Sequence, residues 1–171
     1  LLTKERARAL GAAGLGNVNI SIDSPERQIH DHVRGVKGAW KKTVKGADYL
    51  QRYLKKGKLR INTVVGRRNY ASLAQMPDFA ASLGADFLNL IPLDEHTGDL
   101  QRLRKEQILA FNEEIAPGMA ERGLALGVFR READAYPFGV GKTAVHHSKK
   151  GLYAQGYYEQ HRCLAPWTHA L

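Results

Sequence analysis

From Asn17 the chain alternates strictly. Val18, Ile20 and Ile22 fall on one face, and Asn17, Asn19, Ser21 and Asp23 on the other. That is the period of a strand with one apolar and one polar side. A parallel strand covered on both sides is apolar on both faces, so the polar side of this one meets water or a polar ligand. Ser24-Pro25 ends the strand, and His30, Asp31, His32 and Arg34 then follow in what reads as a charged loop before Gly35.

The rest of the chain repeats strands and amphipathic helices. Thr3 caps a short helix marked by Ala7, Leu10 and Ala13, which ends in Gly14 and Gly16. Val36, Ala39, Trp40, Val44, Ala47, Leu50 and Leu54 recur at helical spacing, and Gly57 stops that helix. Leu59 to Val65 is the second strand, with Asn62 among aliphatics. Asn69 caps a third helix carrying Tyr70, Leu73, Met76, Ala80 and Leu83, in which Pro77 predicts a kink or a delayed start. Gly84 closes it, and Asp86 to Leu93 is the third strand. A polar loop from Asp94 to Asp99 leads to a helix from about Leu103 to Glu121, and Leu124 to Phe129 reads as one more short strand. Strands alternating with helices predict βα units around a mainly parallel sheet.

In such folds the chemistry sits at the C-terminal ends of the strands. Ser21 and Asp23 end the first strand, Asn62 and Asn89 lie within the second and third, and Asp94, Glu95 and His96 follow the third. Polar side chains in the lumen of a closed eight-stranded barrel would each cost about 1–3 kcal/mol if unpaired. An open, partial TIM-type barrel with a polar ligand in its mouth avoids that cost. The expected division is a barrel segment over 1–129 and an irregular segment over 130–171.

Composition changes this picture little. The chain has 171 residues, 43% of them hydrophobic and 25% charged, as in globular domains. No apolar run approaches the length of a membrane span. A single cysteine, Cys163, forms no internal disulfide and suits a reducing cytoplasm. The net charge of +9 suits an anionic partner. Lys41, Lys42, Lys45, Lys55 and Lys56 lie along helix surfaces without the interleaved aromatics of a single-strand binder, which disfavours nucleic acid.

Several motifs fall away on inspection. Gly139-Val140-Gly141-Lys142-Thr143 lacks the leading glycine of a P-loop, where Tyr136 stands, and the glycines of Gly11 to Gly16 precede a strand instead of following one. Asp94-Glu95-His96 could bind a metal, act as acid and base, or be an exposed loop, and His146-His147 reads as solvated. Asp31, His32 and Arg34 fit a salt-bridged turn, and Arg34 equally fits a carboxylate held by two parallel hydrogen bonds.

The sequence S-I-D-S with H-D-H-V-R-G, then I-N-T-V-V with Asn69 after it, then L-N-L-I-P-L, resembles the second half of the radical SAM partial barrel over about Leu1 to Gly123. Cys163-Leu164-Ala165-Pro166-Trp167 is similar to the start of the SPASM-type extension that often follows it. The resemblance implies that S-adenosylmethionine binds across the strand ends beside a 4Fe-4S cluster. On it, Ser21 and Asp23 stand at the cofactor and Arg34 holds its carboxylate. Asn62 lies near the ribose, Asn89 joins the cofactor-binding set, and Leu90 and Ile91 offer backbone and apolar contacts to adenine. Cys163 becomes one ligand of an auxiliary iron–sulfur cluster.

The implied reaction is reductive cleavage of S-adenosylmethionine to a 5′-deoxyadenosyl radical, fed by an electron donor, with hydrogen abstraction from a substrate that could be a peptide. The family's C-x-x-x-C-x-x-C loop does not occur in this sequence. It is expected before Leu1, in a longer protein, and the segment alone is expected to be inactive. Two other readings remain open at this point: a TIM-barrel lyase or aldolase segment using Asp94 and His96, and a basic α/β binding module for an anionic partner.

Overall fold

The computed structural model describes residues 2–93 and 101–141. Its first elements are helix α1 (Lys4–Ala12), strand β1 (Asn17–Ser21), helices α2 (Arg27–Arg34) and α3 (Ala39–Tyr53), and strand β2 (Lys58–Val65). A 3₁₀ turn (Tyr70–Gln75) then leads into α4 (Met76–Ser82) and β3 (Phe87–Pro92). Last come α5 (Lys105–Ala110), a π-type turn (Phe111–Ile115), α6 (Ala116–Ala125) and a 3₁₀ turn (Glu132–Ala135).

The strands form one open, parallel sheet in the order β1-β2-β3. The architecture is α/β, as the alternation predicts, and the sheet does not close on itself among the described residues. Thr3 caps α1, its hydroxyl accepting from Arg6 N at 3.3 Å. Pro77 delays its helix: residues 70–75 wind as a 3₁₀ turn, and α4 begins at Met76 with the proline in its first turn. There a missing N–H costs nothing. Pro117 acts similarly, lying in the first turn of α6 directly after the π-type turn. A proline inside a regular helix clashes with the carbonyl four residues back, and a widened turn absorbs that clash.

Two sequence expectations are corrected. The stretch carrying His30, Asp31, His32 and Arg34 is the helix α2, with Gly35 as its left-handed cap at φ 65°. Ile29 and Val33, four residues apart, face inward beside the buried His30, which is enough apolar surface for two turns. Leu124 to Phe129 is not a strand: α6 runs on to Ala125, and Gly127 then turns the chain at φ 73°. Val128 meets the sheet through its carbonyl, which accepts from Leu88 N at 2.9 Å.

The helices cover one face of the sheet. Ile22 just after β1 and Ile61, Val65, Leu88 and Leu90 of the strands pack against Leu73, Met76, Phe111 and Met119, and a smaller cluster joins Ala47 and Leu50 of α3 to Leu59. A side chain of this size contributes about 1.5–3 kcal/mol when fully buried. The segment after α6 has little regular structure, yet Ala135 and Phe138 are buried in the same core. Phe138 meets Phe111 edge-on at 5.9 Å between ring centroids. The opposite face of the sheet carries no helix among the described residues.

Candidate functional site

Register brings the polar side chains of the open face into rows. Ser21 pairs with Asn62, and Asn62 with Asn89, so these three residues share one level and one face of the parallel sheet. Asn89 Nδ2 donates to Asn62 Oδ1 at 3.3 Å. Nearer the strand N-termini the row is Asn19, Arg60 and Phe87. There the guanidinium groups of Arg60 and Arg130 lie 5.3 and 4.6 Å from the Phe87 ring centroid, each contact contributing about 0.5–1 kcal/mol. Nearer the C-termini, Val64 and Ile91 are half-buried on the open face. Leu90 alternates to the core and is buried, so it offers only its backbone to the open side.

Above this face, Asp23 and Arg34 form the centre of the site. Asp23 is 1% exposed. Its Oδ1 accepts from Val64 N and from Arg34 Nη2, both at 3.0 Å, and its Oδ2 lies 2.5 Å from Arg34 Nε. Its backbone is engaged as well: the N–H donates to His30 Nδ1 at 3.1 Å, and the carbonyl accepts from Asn69 Nδ2 at 2.6 Å. The carboxylate thus accepts its hydrogen bonds through Oδ1, while Oδ2 is buried against Arg34 as an ion-pair contact without a hydrogen bond of its own. The Nε edge of Arg34 is taken by the carboxylate, whereas Nη1 has no partner among the described residues. Arg34 borders a cavity of about 480 Å³ between β1, α2 and α3, with Leu2, Ile20, Ser21, His30, Val36, Ala39, Lys42 and Thr43 on its walls.

His30 is 1% exposed, and desolvation by burial holds its imidazole below the usual histidine range; Asp23 opposes that shift, and Arg34 adds to it. With Nδ1 accepting the Asp23 N–H, the ring proton of the neutral form is on Nε2. A base whose folded pKa is depressed binds fewer protons folded than unfolded. Its contribution to stability is thus present above the unfolded value of 6.5 and is lost as pH falls below it. Denaturant titrations at stepwise lower pH should show stability falling from about 6.5 downward, and His30→Gln should remove much of that slope.

Asp31 has a different task from Arg34. It caps α3, accepting from Gly38 N at 2.6 Å and Trp40 N at 2.7 Å, and the Trp40 N–H is the main cause of its lowered pKa. Three further polar residues hold the site together, and one corrects an expectation: Asn69, read as a helix cap, makes no side-chain cap hydrogen bond. Asn69 is 2% exposed and holds the ends of β1 and β2 together. Its Oδ1 accepts from Gly66 N, and its Nδ2 donates to Asp23 O and Val64 O. Thr63 faces the core and donates to Ile22 O at 2.7 Å. Ser24, fully buried, shares a hydrogen bond of 2.9 Å with Ser72. Asp94, Glu95, His96 and Cys163 lie outside the described residues. Among the described residues no three His, Cys, Asp or Glu side chains gather as a metal site.

No protein-family model matches the chain. It is 35% identical over 85 residues to an AdoMet-dependent heme synthase of Methanosarcina barkeri, covering 50% of this chain and 24% of that protein. It is 36% identical over 84 residues to a PqqA peptide cyclase of Methylocella silvestris, covering 49% and 22%. Among solved structures, anSMEcpe with bound AdoMet and Cp18Cys peptide superposes with a TM-score of 0.57 at 20% identity, over 74% of this chain and 36% of that one. Streptococcus suis SuiB bound to precursor peptide SuiA gives 0.54 at 20% identity, over 71% and 28%. These relatives are radical SAM enzymes.

The chain has the fold of part of the barrel in these solved structures. It spans about a quarter of the length of the curated relatives it matches. The three parallel strands are thus one arc of that radical SAM fold, and their open polar face is the side without helices. The stretch around Cys163, expected from its resemblance to open a SPASM-type extension, lies outside the described residues. No helix among the described residues is long and apolar enough to cross a membrane.

Proposed function

We propose that this chain holds the methionyl end of S-adenosylmethionine in a radical SAM enzyme, with Arg34 and Ser21 as its principal contacts. The observation that carries it is the state of Arg34. A buried carboxylate fixes one edge of the guanidinium, and Nη1 remains without a partner beside a cavity of about 480 Å³. The lining fits the methionyl group: a guanidinium and Lys42 for the carboxylate, the Ser21 and Thr43 hydroxyls for polar hydrogens, and Ile20, Leu2, Val36 and Ala39 for the thioether chain. Asp23 is then a positioning residue, setting the angle at which Arg34 presents its donors. Asn62 and Asn89 offer amides at the level of a ribose, and Ile91 with the Leu90 backbone offers a surface for adenine.

When bound beside a reduced 4Fe-4S cluster, S-adenosylmethionine supplies hydrogen-abstracting radical chemistry, which also requires an electron donor. This chain's share is to fix the cofactor's charged end, keep its tail dry against Ile20 and Val36, and hold His30 neutral. None of the described residues is assigned to the cluster. The auxiliary-cluster role of Cys163 and the cytoplasmic location rest on the sequence. A peptide is the favoured substrate class. Its support is the PqqA peptide cyclase among the relatives and the peptides named with anSMEcpe and SuiB.

Isothermal titration of S-adenosylmethionine into the reconstituted intact protein tests this. Arg34→Ala should weaken binding by about 1.5–3 kcal/mol, the range for a charged hydrogen bond, or roughly 10- to 100-fold. Arg34→Lys, which keeps a cation beside Asp23, should retain the fold and still bind more weakly than wild type. Ser21→Ala should lose about 0.5–1.5 kcal/mol. Unchanged affinity in both Arg34 variants would overturn the assignment.

A further inference from the structure

We propose that the loop following β2 forms a second, separate subsite for an aliphatic carboxylate arm of the substrate, with Arg68 as its cation. This assignment presupposes the cofactor site above and adds a substrate class to it. A cavity of about 240 Å³ opens at the C-terminal end of β2, among Val33, Val64, Gly66, Arg67, Arg68 and Leu93. It lies across α2 from the cofactor cavity: Val33 borders one, and its neighbour Arg34 borders the other.

Arg68 is exposed, and among the described residues it makes no ion pair or hydrogen bond. Its backbone N–H is likewise without a backbone partner there, whereas the N–H groups of Arg67, Asn69 and Tyr70 are all engaged. A guanidinium and a backbone N–H from one residue, both unengaged, make a donor pair suited to one anionic group. The loop that presents them is fixed. Asn69 ties Gly66 to the ends of β1 and β2 from a buried position, so the backbone that carries the Arg68 N–H is preorganised at little entropic cost.

Volume and lining select the ligand. Sites for whole drug-sized molecules run from about 300 Å³ upward. The cavity of about 240 Å³ therefore takes an arm of a substrate, not the whole. Val33, Val64 and Leu93 give it apolar walls, which favour methylenes leading to the charge over a compact, strongly hydrated anion. An acidic side chain or another short alkyl carboxylate meets both demands, and the chain's net charge of +9 favours its approach.

Glutarate is the probe. Saturation-transfer NMR on the intact protein at low salt should show glutarate bound to wild type. Arg68→Gln should raise its Kd at least tenfold, while S-adenosylmethionine affinity stays within twofold of wild type. Glutarate binding equal in the two proteins, or undetectable in both, overturns the subsite. So does tighter, Arg68-dependent binding of inorganic phosphate, which would make the ligand a different anion. Loss of S-adenosylmethionine together with glutarate in Arg68→Gln assigns the effect to the loop and overturns the role of Arg68. If wild type takes no S-adenosylmethionine while glutarate binding still depends on Arg68, the cofactor reading fails and the carboxylate subsite stands.

Discussion

Asp23→Ala should lower the unfolding free energy by about 2–3 kcal/mol, one of the two largest losses expected from a single polar substitution in this chain. The carboxylate is 1% exposed, its Oδ1 accepts from Val64 N and Arg34 Nη2, and its Oδ2 lies in ion-pair contact with Arg34 Nε. Removing it leaves the Val64 N–H without its acceptor and Arg34 without its counter-ion. Orphaning one member of a fully buried pair costs about 3–5 kcal/mol. The Arg34 side chain is 35% exposed, so water recovers part of its charge and the lower range applies. Asp23→Asn sharpens the test, because the shape is kept and an acceptor for Val64 N can remain, yet the negative charge is gone. It should lose most of what alanine loses if the ion pair dominates, and little if the Val64 bond does. Denaturant midpoints for both variants decide between these. A double-mutant cycle with Arg34→Lys should give a coupling energy above about 0.5 kcal/mol. Independent effects would refute the positioning role of Asp23.

The sheet and its polar face were legible in the sequence because a strand writes its two faces in alternate letters. Val18, Ile20 and Ile22 fix which side is covered, and Asn62 and Asn89 interrupt otherwise aliphatic runs at the positions that register places beside Ser21. The helix α2 was not legible. It is two turns long, three of its eight residues are His or Asp, and its inward side is completed by His30, an imidazole buried as an acceptor for a backbone N–H. Composition alone makes such a segment look like a loop. The reverse error arose at Leu124 to Phe129, where a helix end, a glycine turn and two buried residues spell an apolar run of strand length. Short apolar runs carry no period long enough to distinguish the two.

The bonds that define the site were hidden for a different reason. Asp23 meets Arg34 eleven residues on and Asn69 forty-six residues on. Spacing along a chain reports neighbours on one element, and these contacts join elements that only the crossover connection brings together. Arg34 could be read as a carboxylate holder from its residue type. That one edge of its guanidinium already faces Asp23 required the folded chain.

Asn69 is where this hidden wiring can be tested most severely. Its amide is 2% exposed, accepts from Gly66 N at 2.8 Å, and donates to Asp23 O at 2.6 Å and Val64 O at 2.8 Å. Each buried group left unsatisfied costs about 1–3 kcal/mol, so Asn69→Ala should lose about 3–5 kcal/mol, near the upper limit for single substitutions. Asn69→Asp discriminates better, because it keeps the volume and the acceptor for Gly66 N but replaces the donor by an oxygen facing two carbonyls. The new carboxyl can satisfy a carbonyl only when protonated, so its folded pKa must rise above the unfolded value of about 3.9. A raised folded pKa means that the variant is nearest to wild type below that unfolded value and loses stability as pH climbs through the folded one. His30 weakens both proteins alike as pH falls below 6.5, so its titration cancels in their difference and only the new carboxyl remains. The stability gap between the two proteins should therefore widen steadily from pH 4 to pH 7 in denaturant titrations. A gap independent of pH would mean that the amide of Asn69 only fills space, and that the ends of β1 and β2 are held together by something else.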